Sequence, residues 1–409
     1  MVVVHAATDG GTTTPMRIAH LADLHIGRVF HGLSLIDDQR HILEQVVERV
    51  RAAEADVLVL AGDLYDRALP GRDAVRLLDD FLQEAHRGLE IPVIAIAGNH
   101  DSAEHLGFGS WLFAQGDLHL RGRVDGPFHP VTLEDAHGEV TFYPIPYVEP
   151  ETAAALFASP GLDAPLTGGT LTHAETVEAL LAPAHEHRVA GAVRRSVVVA
   201  HGFVRGAGPP VESPRSERAL YLGGAGAVPA SHFDGFSYVA LGHLHRPQWV
   251  GDDRRVRYSG SLLRYAFEES DDPRTLSVVT LDADGRCVLE EEALHPRRDL
   301  GRIRGDLATL LRDPALEAYT SRYVQAVVTD HPMPPQAMER LRERFPHLLE
   351  FRQTRMERDP LAAVAAIPDE RRGPSEVFDD FFRLHGPGAP TDDDRAVFRE
   401  ALAATGEPT

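Results

Sequence analysis

Residues 92–101 read Pro-Val-Ile-Ala-Ile-Ala-Gly-Asn-His-Asp, an apolar run of strand length that halts at a glycine and then presents three polar side chains. Strands buried on both faces have this continuous apolar character, and a glycine after one lets the chain turn sharply. The pattern recurs upstream. Residues 16–22 read as a buried strand ending in Asp23-Leu24-His25, and 56–61 as another ending in Gly62-Asp63-Leu64-Tyr65-Asp66. Helical spacing separates them, with Ile42, Val46, Val47 and Val50 inside 37–53 and Val75, Leu78, Phe81 and Leu82 inside 73–87. This alternation predicts an α/β layered fold with its chemistry at the C-terminal ends of the strands.

Further along, strands at 131–133 and 140–145 precede a helical stretch at 174–186. A strand at 196–200 then runs into His201-Gly202. After the Gly/Pro/Ser-rich stretch 205–226, a strand at 238–241 ends in Gly242-His243-Leu244-His245, and a strand at 276–281 closes the region. Residues 1–15 carry no periodic pattern and read as an N-terminal extension. The composition changes near 286: residues 286–359 hold 13 arginines and 13 acidic residues, against 23 and 39 for 1–285. This shift predicts a boundary between a domain at 16–285 and a small α+β module at 286–359, with strands near 323–328 and 348–352 and a helix near 336–344. Residues 360–374 read as a linker, and 375–409 as a tail of two amphipathic helices at 375–384 and 391–404.

Composition narrows the function classes. A 43% apolar and 25% charged chain of 409 residues is an ordinary globular sequence. No apolar run approaches the roughly 18 residues of a membrane span. The opening residues lack the basic start of a secretory signal, so a cytoplasmic protein without a membrane partner is expected. Cys287 is the only cysteine, which excludes a disulfide framework and a cysteine-ligated metal. The net charge is −21 and the chain has no lysine, so any contact with nucleic acid must be local and made by arginine.

Asp, Asn and His are the side chains that bind first-row divalent metals without sulfur, and the five strand-end blocks offer little else. One carboxylate can bridge two such ions, and a pair about 3.5–4 Å apart clamps a phosphate for in-line displacement. Each block alone has a bland reading: Asp-x-His as a surface turn, Gly-Asn-His as a helix entry. All five together, each after a strand, point to a dinuclear metal site.

The blocks resemble the motifs of the calcineurin-like metallophosphoesterases. Finer details are similar to the SbcD family, the nuclease subunits of bacterial SbcC–SbcD complexes. These details are Asp101 closing Gly98-Asn99-His100, the Ala200-His201-Gly202-Phe203 block, Ser216-Glu217-Arg218 ahead of Gly223-Gly224-Ala225-Gly226, and the run from Phe236 through His243, His245 and Gln248. The likeness spans about 16–404 and loosens after 286. It implies a four-layer αββα sandwich, a small α+β capping domain and C-terminal helices. It also implies two divalent ions, most simply manganese: Asp23, His25 and His245 hold one, Asn99, His201 and His243 the other, and Asp63 bridges them. His100 would stand over the phosphate and protonate the leaving 3′-oxygen or stabilise its charge. Asp66 lies where some relatives place a second histidine, and a supporting or capping role is the favoured reading. The implied activity is DNA hydrolysis in break repair, replication and recombination: 3′→5′ exonuclease on duplexes, and endonuclease on single strands and hairpins. The implied partner is the ATPase SbcC, in a heterotetramer with two copies of each component.

Other features carry weaker expectations. Arg205, Arg218, Arg254, Arg255 and Arg257 are candidate phosphate contacts, with a solvated arginine face as the alternative. Segments 73–82 and 108–113 are more apolar than solvated helices need, and the resemblance makes them a homodimer contact. Phe378, Phe381, Phe382 and Phe398 form an aromatic stripe suited to docking on SbcC. Cys287, Trp111 and Trp249 read as packing residues. Two other functions compete: a small-molecule phosphodiesterase or protein phosphatase, and a non-catalytic scaffold. The scaffold predicts damaged ligand blocks, and all of them are intact.

Overall fold

The apolar strand runs assemble into two six-stranded sheets in a computed structural model of the chain. The model describes residues 14–124, 129–157, 171–206, 226–252, 254–269, 273–354, 378–379 and 390–405. The first sheet takes the order Cys287–Ala293, Thr275–Leu281, Met16–Leu21 (β1), Val57–Ala61 (β2), Val93–Ile96 (β3) and Leu118–Arg121. The second takes the order Gln248–Trp249, Val256–Tyr258, Tyr238–Gly242 (β5), Ser196–His201 (β4), Gly138–Pro144 and Val131–Asp135. The site-bearing strands are parallel within each sheet and end nearly level, with Leu21 opposite Leu60, Ala61 opposite Ile96, and His201 opposite Gly242.

Strand periodicity explains the layering. Successive side chains point to opposite faces, so a run buried on both faces must be apolar throughout. Val57 and Val59 face the layer between the sheets, together with Val197 and Val199. Leu58 and Leu60 face outward, onto Ile42, Val46 and Val50 of helix α1 (Ile36–Ala52) and Leu77, Leu78 and Phe81 of α2 (Arg72–Gln83). Val198 and Leu241 face outward on the other side, onto Leu180, Leu181 and Ala184 of α3 (His173–Ala190). The result is the expected αββα sandwich. Thr172 and Glu175 close a capping box at the start of α3, and the helix runs past its expected end at 186 to Ala190.

A buried ion pair pins the seam between the sheets. Arg195, just before β4, donates to Asp135 at 2.6 Å and to the Leu281 carbonyl of the first sheet at 3.0 Å. Asp135 in turn accepts from the Met16 amide of β1. The strand Cys287–Ala293 pairs with Thr275–Leu281 along its whole length, so the border expected at 285/286 falls in the turn between two partners. Its glutamates at 290–292 hid it: a sheet edge with one solvated face does not read as a buried strand.

By its internal contacts the chain divides into two units. One comprises Met1–Arg302, Glu317–Gln325 and Phe345–Glu350; the other comprises Ile303–Leu316, Ala326–Arg344 and Phe351–Thr409. A three-stranded sheet takes the order Leu300–Gly305, Tyr323–Val328 and Leu348–Gln353. In the second unit Arg344 donates to the carbonyls of Leu310 and Asp313, tying Ala337–Arg344 to Leu307–Arg312. The later helix of the tail runs Asp392–Thr405, and Phe398 stacks on Phe378 with ring centres 4.2 Å apart. The expected linker, Phe381 and Phe382 lie outside the described residues. No helix among the described residues is long and apolar enough to cross a membrane. Trp111 corrects an expectation: it is 72% exposed and lies beside exposed Phe108, Leu112 and Phe113, so it is not a packing residue.

Candidate metal centre

The polar residues that follow β1, β2, β3 and β5, with His201 at the end of β4, converge between the ends of the sheets. Several take a backbone conformation that strands do not use. Asp23, His25, Asp63 and His243 all have positive φ, at 55°, 43°, 52° and 111°. Left-handed non-glycine residues persist only where their surroundings hold them, and they gather at functional sites. Here hydrogen bonds hold them: the amides of Asp23, His25 and Ile26 donate to the carbonyls of Gly62, Asp63 and Leu64, zipping two turns together. Gln39 of α1 donates to the His25 carbonyl at 2.7 Å and accepts from the Gly27 amide at 2.9 Å.

The expected ligands fall into contact as follows. Donor atoms of Asp23, His25 and His245 lie within 4.8 Å of one another, as do those of Asp23, Asp63 and His201. His25 Nε2 is 3.1 Å from His245 Nε2. Asn99 Oδ1 is 3.0 Å from His201 Nε2 and 3.2 Å from His243 Nδ1. Asp63 Oδ2 lies between the two groups, 3.7 Å from His25 Nε2 and 3.4 Å from His201 Nε2. Both carboxylate oxygens of Asp23 also accept from the His243 amide, at 2.9 and 3.0 Å, which couples the end of β1 to the end of β5.

Close approach makes glycine necessary at two positions. A Cβ on Gly98 would stand 2.2 Å from Asp63 Oδ1, and one on Gly242 would stand 2.1 Å from the Ala61 carbonyl oxygen. Asp101, which the sequence placed in a motif without a role, is buried and accepts from the amides of Leu64, Tyr65 and Gly98 at 2.9–3.0 Å. It thereby ties the turn after β2 to the turn after β3. Burial and the nearby Asp63 charge push its carboxyl up to about 7. Gln39 was also missed, although a polar residue one turn before Ile42, on the buried stripe of α1, was the available signal.

Electrostatics fit this cluster to divalent cations. Burial holds His25 well below its usual range, and holds His243 down at about 3, so both present neutral imidazoles. Burial opposes ionisation of Asp63, but His201, His25 and His100 overrule it and keep the carboxyl well below the usual range. The same Asp63 charge outweighs burial at His201 and raises it to about 9. Asp63 thus attracts positive charge strongly from between the neutral imidazoles of His25 and His243, and in the metal-free chain the His201 proton answers that charge. Mixed N/O donors around buried carboxylates suit a first-row divalent metal.

His100 is half-buried beside the cluster. Its amide donates to Asp63 Oδ1 at 2.8 Å, and its Nδ1 lies 3.0 Å from the Asp66 carbonyl. A carbonyl only accepts, so Nδ1 carries a proton there. The Asp66 side chain pairs with Arg28 at 2.7 Å. The candidate arginines separate. Arg205 and Arg254 are exposed, Arg255 is half-buried with its guanidinium on Asp234 and the Phe236 carbonyl, and Arg218 lies outside the described residues. Arg257 corrects an expectation: it is 3% exposed, bonds Glu291 at 2.6 Å and lies over the Trp249 ring, so it is a core residue and offers no surface to DNA.

Sandwich and centre together define the class, a metal-dependent phosphodiester hydrolase. A family model described as calcineurin-like phosphoesterase matches residues 16–247, and one described as type 5 capsule protein repressor C-terminal domain matches 296–385. A curated relative, the SbcD component of the nuclease SbcCD from Staphylococcus saprophyticus, is 31% identical over 334 residues, covering 82% of this chain and 84% of its own. The chain belongs to the calcineurin-like phosphoesterase family, and within it to the SbcD nuclease subunits. Among solved structures, a dimetal phosphatase from Danio rerio is 15% identical over 68% of this chain and 96% of its own, with a TM-score of 0.38. A Thermus thermophilus protein gives the same identity, coverage of this chain and score, over 99% of its own length.

Proposed function

We propose that this chain is the nuclease component of an SbcCD-type complex, a cytoplasmic, manganese-dependent DNA hydrolase that works with the ATPase SbcC. It acts as a 3′→5′ exonuclease on duplex ends and as an endonuclease on single strands and hairpins, in break repair, replication and recombination. The observation that carries this reading is the N/O cluster of buried Asp23, His25, Asp63, His201, His243 and His245 with half-buried Asn99, and His100 beside it, in a chain alike to an SbcCD component over most of its length.

Divalent ions held there would supply positive charge against the phosphate and lower the pKa of water for in-line attack. The chain's own residues do the rest. Asp23, His25 and His245 would hold one ion, Asn99, His201 and His243 the other, with Asp63 between the two groups. Because His100 Nδ1 is committed to the Asp66 carbonyl, Nε2 is the nitrogen left to pass a proton to the departing 3′-oxygen. Arg28 holds Asp66 in place for that contact. DNA approaches along local exposed arginines, Arg205 and Arg254 among them, since the −21 net charge offers no general attraction.

The exposed Phe108, Trp111, Leu112 and Phe113 form the homodimer contact, and the complex holds two copies of each component. Of the module expected at 286–359, the residues past the edge strand Cys287–Ala293 serve as the cap, and 375–409, with Phe378, Phe381, Phe382 and Phe398, dock on SbcC. The test is cleavage of blunt and hairpin duplexes by the purified chain with Mn²⁺, with and without SbcC and ATP. Metal-dependent cutting that SbcC and ATP stimulate is expected, and His100→Gln should lose it while retaining metal. Hydrolysis of phosphopeptides or small phosphodiesters with intact DNA throughout would favour a phosphatase instead.

A further inference from the structure

Each imidazole has a second nitrogen, and what that atom meets sets how firmly the ring is aimed and how basic its partner nitrogen is. His201 Nδ1 meets the Ala61 backbone carbonyl at 2.8 Å. His25 Nδ1 is buried without a hydrogen bond, the Asp66 carboxylate standing 3.8 Å away and already paired with Arg28. His245 differs from both. Its Nδ1 lies 3.4 Å from Oε1 of Glu269, a carboxylate 1% exposed on the short turn Phe267–Glu269. The other oxygen of Glu269 accepts from Arg274 at 2.6 Å and from the Tyr265 amide at 3.2 Å. Arg274 is also buried, and its Nη1 donates to the His245 carbonyl at 2.5 Å and to Ser261 Oγ at 3.2 Å.

The pair therefore grips His245 at both ends, through the ring and through the backbone. A buried ion pair contributes little to stability compared with apolar residues of similar volume. Its position behind one candidate ligand points to a different use.

We propose that Glu269 and Arg274 are positioning residues for His245, and that they make the metal position held by Asp23, His25 and His245 the tighter of the two. This rests on the metal-centre reading above but not on the substrate being DNA. The position held by Asn99, His201 and His243 has a carbonyl behind His201 and a neutral amide among its donors, and it binds more weakly.

The experiment is a Mn²⁺ titration of the full chain, followed by calorimetry and by the paramagnetic resonance of free and bound manganese, without DNA. Wild type is expected to show two positions of unequal affinity. Glu269→Gln keeps the shape but loses the charge, and should weaken the tighter position by about 10–100-fold while leaving the other unchanged. Arg274→Met should weaken the same position, and Arg274→Lys should recover much of it. A purely structural pair would lower the urea midpoint of the metal-free chain and weaken both positions alike, and that result overturns the proposal. Unchanged affinities in Glu269→Gln also overturn it. If the variant does not fold, Glu269→Asp, which keeps the charge and shortens the reach, replaces it under the same criteria. Absent manganese binding by wild type sinks both this proposal and the metal centre. Selective weakening together with uncut DNA sinks only the nuclease reading.

Discussion

The two sheets bring different chemistry to the centre. The first supplies every oxygen donor, from Asp23, Asp63 and Asn99, together with His25 and His100. The second supplies only imidazoles, from His201, His243 and His245. Their backbones differ in the same sense. Three of the four left-handed residues at the site, Asp23, His25 and Asp63, belong to the first sheet, where they are zipped by hydrogen bonds between neighbouring turns. The second sheet places His201 within a regular strand and strains only His243. One half of the centre is thus assembled locally by adjacent turns. The other half is delivered by packing one sheet against another, and its precision depends on the core between them.

The comparison breaks most completely at Asp63, whose carboxylate lies between His25 of the first sheet and His201 of the second. Asp63→Ala should remove both bound ions and slow phosphodiester hydrolysis about 10⁴-fold, some 5.5 kcal/mol, as read by metal content and turnover. The seam is next. Arg195→Met leaves the Asp135 carboxylate buried without its cation and should cost about 3 kcal/mol or more in urea unfolding. If the packing view is right, manganese affinity falls with it; retained affinity would mean that the second sheet's imidazoles need no docking.

Gly98→Ala perturbs the oxygen half alone, driving a methyl group into Asp63. It should weaken manganese binding about 100-fold with an unchanged circular dichroism spectrum. Proton linkage sharpens the contrast further. Asp63 holds His201 up at about 9, so below that pH the metal-free ring is charged and a binding cation must expel its proton. Apparent affinity should then rise about tenfold per pH unit until pH 9 and level off above it, with about one proton released per chain in calorimetry across buffers.

The smallest effect concerns the arginines. Arg254→Ala or Arg205→Ala should each reduce the salt dependence of DNA binding by about one phosphate contact. Arg257→Ala should leave that slope unchanged and cost stability instead, because its guanidinium is spent on Glu291 and Trp249.

Legibility in the sequence followed burial and period. The strands at 57–61, 93–96, 196–201 and 238–242 were readable because a strand buried on both faces must be apolar throughout. The seven candidate donors stand out because each lies at or just past the end of such a strand. Gln39, Asp101, Glu269 and Arg274 escaped because their partners are backbone groups or side chains distant in the chain, and no spacing rule marks such pairs. Arg257 misled for a related reason: among neighbouring arginines, only the alternation of a strand decides which one is turned inward.

By itself, then, the order of residues determined which side chains stand at strand ends, and hence a sandwich whose donors are nitrogen and oxygen. Distance along a chain does not limit distance in space, so the sequence could not set which donors meet, which imidazole is backed by a carboxylate, or which arginine reaches water. Those choices were made when two apolar sheet faces left water together. That collapse sets β1 against β5, carries the Asp23 carboxylate to the His243 amide, and closes the pocket around Asp63.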